Sequence, residues 1–156
     1  MVAPSLCNML LSMAVEVVAL RGASHVNYEV GMLRALPPRC AAFDVAADGV
    51  AVNACLEACL GHARALIEFL GGRKGRPTDI RAEQYAPSFA PSSSLSRWVP
   101  LIDRHLAHLS WARALEVSSP QWDLKALVDD VVASYGEFVA ALDAAVPSRL
   151  LLETAV

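Results

Sequence analysis

Between Val50 and Leu70 the apolar residues keep the period of an α-helix. Val52, Cys55, Leu56, Cys59, Leu60, Ala63, Leu66, Ile67 and Leu70 follow one another at three- and four-residue steps. At about 100° per residue these steps place all of them on one stripe. Glu57, Arg64 and Glu68 fall on the opposite side, spaced to pair along the helix. Gly71-Gly72 supplies the residue type that ends a helix in a left-handed cap. A stripe this wide must be buried against other elements, so the remainder of the chain has to provide matching faces.

It does so with further helical segments. The stretch from about Ser5 to Leu20 is apolar, and a second from about Ser24 to Leu36 follows a break at Gly22. These are either one kinked helix or two, with Pro37-Pro38 expected to end the run. From Trp98 to about Glu116, the residues Trp98, Leu101, Ile102, His105, Leu106, Leu109 and Ala112 share a stripe, broken by Ser118-Ser119-Pro120. A last helix, about Trp122 to Ala145, turns Leu124, Leu127, Val128, Val131, Val132, Tyr135, Phe138, Val139 and Leu142 inward and leaves Asp129, Asp130, Glu137 and Asp143 to solvent. Between the second and third long patterns lie a basic turn, Arg73-Lys74-Gly75-Arg76-Pro77, a short helical piece over Asp79 to Tyr85, and a Pro- and Ser-rich loop pinned by Tyr85 and Phe89. No alternating strand pattern and no internal repeat occurs. The expected fold is all-α: an antiparallel four-helix bundle with an additional N-terminal helix or helix extension, in a single domain over 1–156 with residues 1–23 as a peripheral helix.

Composition narrows the function classes. With 55% hydrophobic and 19% charged residues, a chain of 156 residues buries a real core and does not stay disordered. A net charge of -3 lacks the basic footprint of a nucleic-acid binder. The first apolar stretch carries Asn8 and Glu16 with no basic residue ahead of it, which suits a core helix better than a signal peptide or membrane span. Cys55 and Cys59 sit inside the helical pattern, so Cys7, Cys40, Cys55 and Cys59 are expected as reduced thiols in a cytoplasmic protein. Charge below the usual ~25% leaves apolar surface to cover, and a homodimer or another protein partner is the expected outlet, with no membrane association and no cofactor.

The residues suited to chemistry are histidines on two helices expected to face each other. His105 lies within the Trp98 stripe, His108 at its edge beside Arg104 and Trp111, and His62 at the edge of the Val50–Leu70 stripe. If those helices pack, the imidazoles converge into a polar core layer of His62, Arg64, Glu57, Asn53 and His105 that fixes register. A buried ring must then find a partner among Asn53, Glu57, Asp103 and backbone carbonyls. Two alternatives use the same residues. Cys55, Cys59, His62, His105 and His108 together offer thiolate and imidazole ligands that suit zinc or copper, although their spacing is that of no zinc ribbon or finger. Arg104 and His108 could act on RNA, the histidine as acid or base and the cation against developing phosphate charge.

A resemblance adds to these readings. The segments Asn53-Ala-Cys-Leu-Glu-Ala-Cys-Leu-Gly-His62-Ala-Arg64 through Phe69 and Leu101-Ile-Asp-Arg104-His-Leu-Ala-His108-Leu-Ser resemble an uncharacterised family of bacterial all-helical proteins, as do Tyr28-Glu29 with Met32-Leu33 and Asp79-Ile80-Arg81-Ala82-Glu83-Gln84-Tyr85. More distantly, the helix holding Ala107-His108 resembles the HEPN (higher eukaryotes and prokaryotes nucleotide-binding) bundles, many of them ribonucleases of toxin and phage-defence systems. That resemblance implies metal-independent endoribonuclease activity with Arg104 and His108 as the catalytic pair, and RNA as a partner only in that case. Asp103 stands where the HEPN arginine normally would, and an acid there repels phosphate. Taken from the residues alone, the expected function is a non-enzymatic helical interaction module that self-associates.

Overall fold

A computed structural model describes residues 6–71, 76, 78–107 and 122–142, with only the backbone path for residues 6–19. It is all-α: four α-helices, with no strand among the described residues. The helices are α1 (Leu6–Cys40), α2 (Gly49–Phe69), α3 (Trp98–Ile102) and α4 (Leu124–Ala141).

Helix α1 is continuous through Gly22, so the two-helix alternative is excluded, and it runs on through Pro37 and Pro38 instead of stopping at Leu36. Both prolines fall in its last turn, where their fixed φ is compatible with helix and only two intrahelical donors are lost. Its inner stripe is Gly22, Val26, Val30, Leu33 and Leu36. Against it lies α2, whose inner residues are Cys59, Leu60, Ala63, Leu66 and Ile67, all under 3% exposed. The two helices run antiparallel, with residue 40 beside residue 55 and residue 29 beside residue 62. The turn between them is built from backbone bonds such as Asp48 N–H to Asp44 C=O at 2.7 Å, with the Asp44 carboxylate accepting from Ala46 N–H at 2.9 Å. As the sequence predicts, α2 stops at its glycine. The Leu70 and Gly71 N–H groups close the last turn on Leu66 and Glu68, and Gly71 takes φ +83°, where a side chain would strain the backbone.

The helical piece expected over Asp79 to Tyr85 is a single 3₁₀ turn, Ala82–Gln84, whose Arg81 N–H donates to the Gln84 carboxamide. Tyr85 and Phe89 do pin this connection. Tyr85 packs on Phe69, and Phe89 meets the Phe138 ring edge-on at 5.7 Å. Of the basic turn, Arg76 is described and exposed; the rest lies outside the described residues. A second 3₁₀ stretch, Ser93–Arg97, leads into α3, where Pro100 sits in the first turn and its missing N–H costs no bond.

The long third helix departs from expectation. After Ile102 the chain widens into a π-helical turn over Asp103–Ala107, and the continuation to Glu116 lies outside the described residues. The last helix is shorter than expected, with the Asp123 carboxylate capping it through Ala126 N–H at 2.9 Å and Leu142 ending it in extended backbone. Leu127, Val131, Tyr135 and Phe138 complete the core, and Phe69 to Phe138 at 5.1 Å ties α4 to α2. Burying each such side chain stabilises the fold by about 1.5–3 kcal/mol.

Candidate functional site

The residues that the sequence marks for chemistry are distributed over three local clusters. In the first, Glu29 of α1 lies beside the inner stripe, and its carboxylate accepts from His62 Nδ1 at 2.6 Å. A carboxylate can only accept, so Nδ1 carries the proton and Nε2 is the ring's other polar atom. The Tyr28 ring meets the imidazole edge-on at 5.7 Å. His62 is 17% exposed and Glu29 28%, so the pair sits at the rim of the α1–α2 seam. Sequence reasoning sought the partner of His62 on α2 or the Trp98 helix and missed Glu29. An acid one position from Val30, at the edge of an apolar stripe, was the available signal.

The second cluster joins α2 to the π turn. The Arg64 Nε lies 3.4 Å from Glu68 and 3.3 Å from Asp103, so one guanidinium serves two carboxylates. All three are partly exposed, and such pairs are worth under about 1 kcal/mol each. Of the expected core layer, only Arg64 makes this crossing. Asn53 and Glu57 are exposed, because the inner stripe of α2 runs through residues 59, 60, 63, 66 and 67 and leaves positions 53 and 57 outside. His105, on the π turn, is half-buried with its ring edge-on to Trp122 at 5.9 Å. The two described histidines of the predicted layer therefore have different neighbours, Glu29 and Tyr28 for His62 and Trp122 for His105. Arg104 is exposed on the π turn. His108 and Trp111 lie outside the described residues.

The third cluster was not foreseen. Asp130, read from the sequence as solvated, accepts from Trp98 Nε1 at 2.7 Å and from Arg97 at 2.6 Å and 3.1 Å, fastening the start of α3 to α4. Asp129 keeps the solvated role and pairs with Lys125 four residues back.

The cysteines require a correction. Cys40 and Cys55 form a disulfide with Cα atoms 5.5 Å apart, contrary to the expectation of four reduced thiols. The continuation of α1 past the prolines brings Cys40 level with the start of α2. Cys59 is a free thiol with no exposed surface, and burial pushes its pKa up to about 11. A thiol held protonated is a poor nucleophile and a poor metal ligand. Among the described residues no three His, Cys, Asp or Glu side chains gather closely enough to hold a metal ion.

One cleft opens between α1, α2 and α4, lined by Ala23, Val26, Phe69, Tyr85, Tyr135 and Phe138, with the Tyr135 hydroxyl donating to Asn27 at 2.9 Å. The space open to the centre of a water molecule is about 20 Å³, which is room for one water and not for a small-molecule ligand. Burial raises the pKa of both tyrosines, and Arg34 partly offsets the effect at Tyr135. Comparison of the chain with known protein families, with curated proteins and with solved structures finds no match.

Proposed function

We propose that this chain is a non-enzymatic helical interaction module that works as a homodimer, its helices arranged as an antiparallel four-helix bundle with α1 extended beyond it. The observation that carries the reading is the apolar surface at the turn between α1 and α2, where Val45 is 72% exposed, Val50 86% and Phe43 39%. Large apolar side chains exposed together at one turn mark a protein-binding surface. The polar groups support the same reading, since Glu29 with His62 and Arg64 with Asp103 hold helices together. In the reducing cytoplasm, the location we infer, the Cys40–Cys55 bond closes only on exposure to oxidant. Sedimentation equilibrium should return a mass near twice 16.7 kDa; a 16.7 kDa species at micromolar concentration overturns the proposal.

One observation favours a second reading, the HEPN-like endoribonuclease. Asp103 and Arg104 lie on a π-helical turn, a deformation that recurs at functional sites, and the Asp103 charge is met by Arg64 before it can repel a phosphate at Arg104. This reading expects metal-free RNA cleavage that His108→Ala abolishes, and RNA left intact by the unmodified chain removes it.

A further inference from the structure

The three cysteines of the α1–α2 hairpin divide by exposure. Cys59 has no exposed surface, whereas Cys40 and Cys55 are both partly exposed. Cys40 is the last residue of α1, and its sequence neighbours Pro38, Arg39, Ala41 and Ala42 are all exposed. Cys55 stands within α2, its Sγ 3.7 Å from the Leu36 carbonyl. Their Cα atoms lie 5.5 Å apart, inside the span a disulfide needs. The turn that joins them is tied by local backbone bonds, Ala42 N–H to Arg39 C=O at 3.1 Å, Phe43 N–H to Cys40 C=O at 3.4 Å and Asp48 N–H to Asp44 C=O at 2.7 Å. Residues 41–48 are exposed throughout, so solutes reach this end of the hairpin. Exchange proceeds by attack of a thiolate on sulfur, and a sulfur pair open to solvent is the labile kind.

We propose that Cys40 and Cys55 are a thiol–disulfide exchange site for a low-molecular-weight disulfide of the glutathione type, with Cys40 the attacking sulfur and Cys55 the resolving one. Position assigns the two roles. Cys40 ends its helix where the chain turns outward, while Cys55 is held within α2 and, once reduced, has the Leu36 carbonyl to accept its S–H. The Cys40 thiol loses its proton to solvent, and its thiolate attacks one sulfur of glutathione disulfide, forming a mixed disulfide and releasing one glutathione thiolate. That thiolate takes the Cys55 proton. The Cys55 thiolate attacks the Cys40 sulfur and expels the second glutathione, which is protonated from solvent. Two electrons pass from the protein thiols to one glutathione disulfide, leaving two glutathione thiols and the Cys40–Cys55 bond. Because Cys55 is already beside Cys40, this second step is intramolecular and the mixed disulfide is short-lived. The ring so closed encloses residues 41–54, and with them Phe43, Val45 and Val50. Only that link to the exposed apolar surface rests on the self-association proposed above.

The test is intact-mass spectrometry with peptide mapping on the full chain in a Cys7→Ser background, with circular dichroism confirming that each variant keeps its helix. After reduction and exposure to oxidised glutathione, the chain with Cys40 and Cys55 both present should close the bond and retain no adduct, and excess reduced glutathione should reopen it within minutes to hours. Cys55→Ser should stop at one glutathione on Cys40, and Cys40→Ser should take up glutathione at least about tenfold more slowly. Cys59, buried and raised to about 11, should stay unmodified throughout. A bond that excess reduced glutathione opens only after unfolding in urea overturns the exchange site. Equal uptake by the two serine variants overturns the assigned roles and with them this inference. Closure by hydrogen peroxide without closure by oxidised glutathione overturns the ligand class. A chain that performs the exchange yet sediments as a monomer upholds the site and overturns the self-association reading instead.

Discussion

Reducing the Cys40–Cys55 disulfide is the most direct test of how the hairpin is held. The bond closes a loop with a sequence separation of 15, which in the chain-entropy treatment stabilises the fold by about 3 kcal/mol. Little inside the loop competes with that figure, because residues 41–48 are all exposed and contribute almost no buried apolar surface. The freed Cys55 thiol has one nearby acceptor, the Leu36 carbonyl at 3.7 Å, and a bond that weak offsets well under ~1 kcal/mol. For a chain of this size, a loss of about 3 kcal/mol lowers the melting temperature by roughly 6–12 °C. Thermal unfolding followed by circular dichroism, with and without a phosphine reductant, reads the shift directly. The Cys40→Ser/Cys55→Ser double variant should reproduce the reduced value and lose all response to reductant. Melting temperatures within about 2 °C of each other, with alkylation confirming that both thiols are free, would refute the entropic account.

Three further outcomes follow from the packing. Asp130→Ala leaves the Trp98 indole N–H without its acceptor and releases Arg97, and should cost about 2–3 kcal/mol in urea unfolding; a loss below about 0.5 kcal/mol contradicts the anchoring role. Gly31→Ala, exposed in mid-helix with open space around a new Cβ, should gain about 1 kcal/mol, or 2–4 °C in melting temperature, whereas Gly22→Ala runs into the Tyr85 hydroxyl and should show no such gain. The Cys59 thiol, raised by burial to about 11 from its ordinary 9.0, contributes stability that is complete below about pH 9 and is lost as pH rises toward 11, because the unfolded chain releases that proton first. Two units amount to on the order of 3 kcal/mol, so wild type should lose that much more than Cys59→Ala between those pH values, and parallel curves for the two proteins would refute it.

How far the fold was legible depends on whether a feature is local. The second helix was expected over Val50–Leu70 and spans Gly49–Phe69, because its stripe and its glycine stop are written within one segment. Leu127, Val131, Tyr135 and Phe138 were read inward for the same reason and are buried. The C-terminal end of α1 lies at Cys40, beyond the expected stop at Leu36, because proline rules describe an average helix, while here the last turn is tied to α2 through Cys40. The π turn at Asp103 escaped because a 3.6-residue stripe can be drawn through Trp98 to Leu106 whether or not one residue is inserted in the backbone ladder. Partner choice was the least legible. His62 stands at a stripe edge, and an edge residue can belong to the seam on either side; packing gave it to Glu29 of α1 and left Arg64 to reach Asp103.

The same partner choice bears on how α1 is held for self-association. α1 is held at separate levels along its length: Asn27 accepts from Tyr135 of α4, Glu29 accepts from His62 of α2, and Cys40 is bonded to Cys55. Between these ties the inner stripe from Val26 to Leu36 is buried. A rod held from residue 26 to residue 40 has lost its freedom to reorient before any second copy arrives. The ordering entropy that an isolated helix would have to surrender on association has then been met largely by folding. Loosening the body should therefore weaken self-association. In the reduced protein the lower end of α1 loses its covalent tie, and dimerisation should weaken by about twofold to tenfold, the effect of a preorganisation loss of up to roughly 1.4 kcal/mol. Sedimentation equilibrium with and without reductant measures this. An unchanged dissociation constant would mean that α1 is rigid on its own account and that the disulfide serves the hairpin alone.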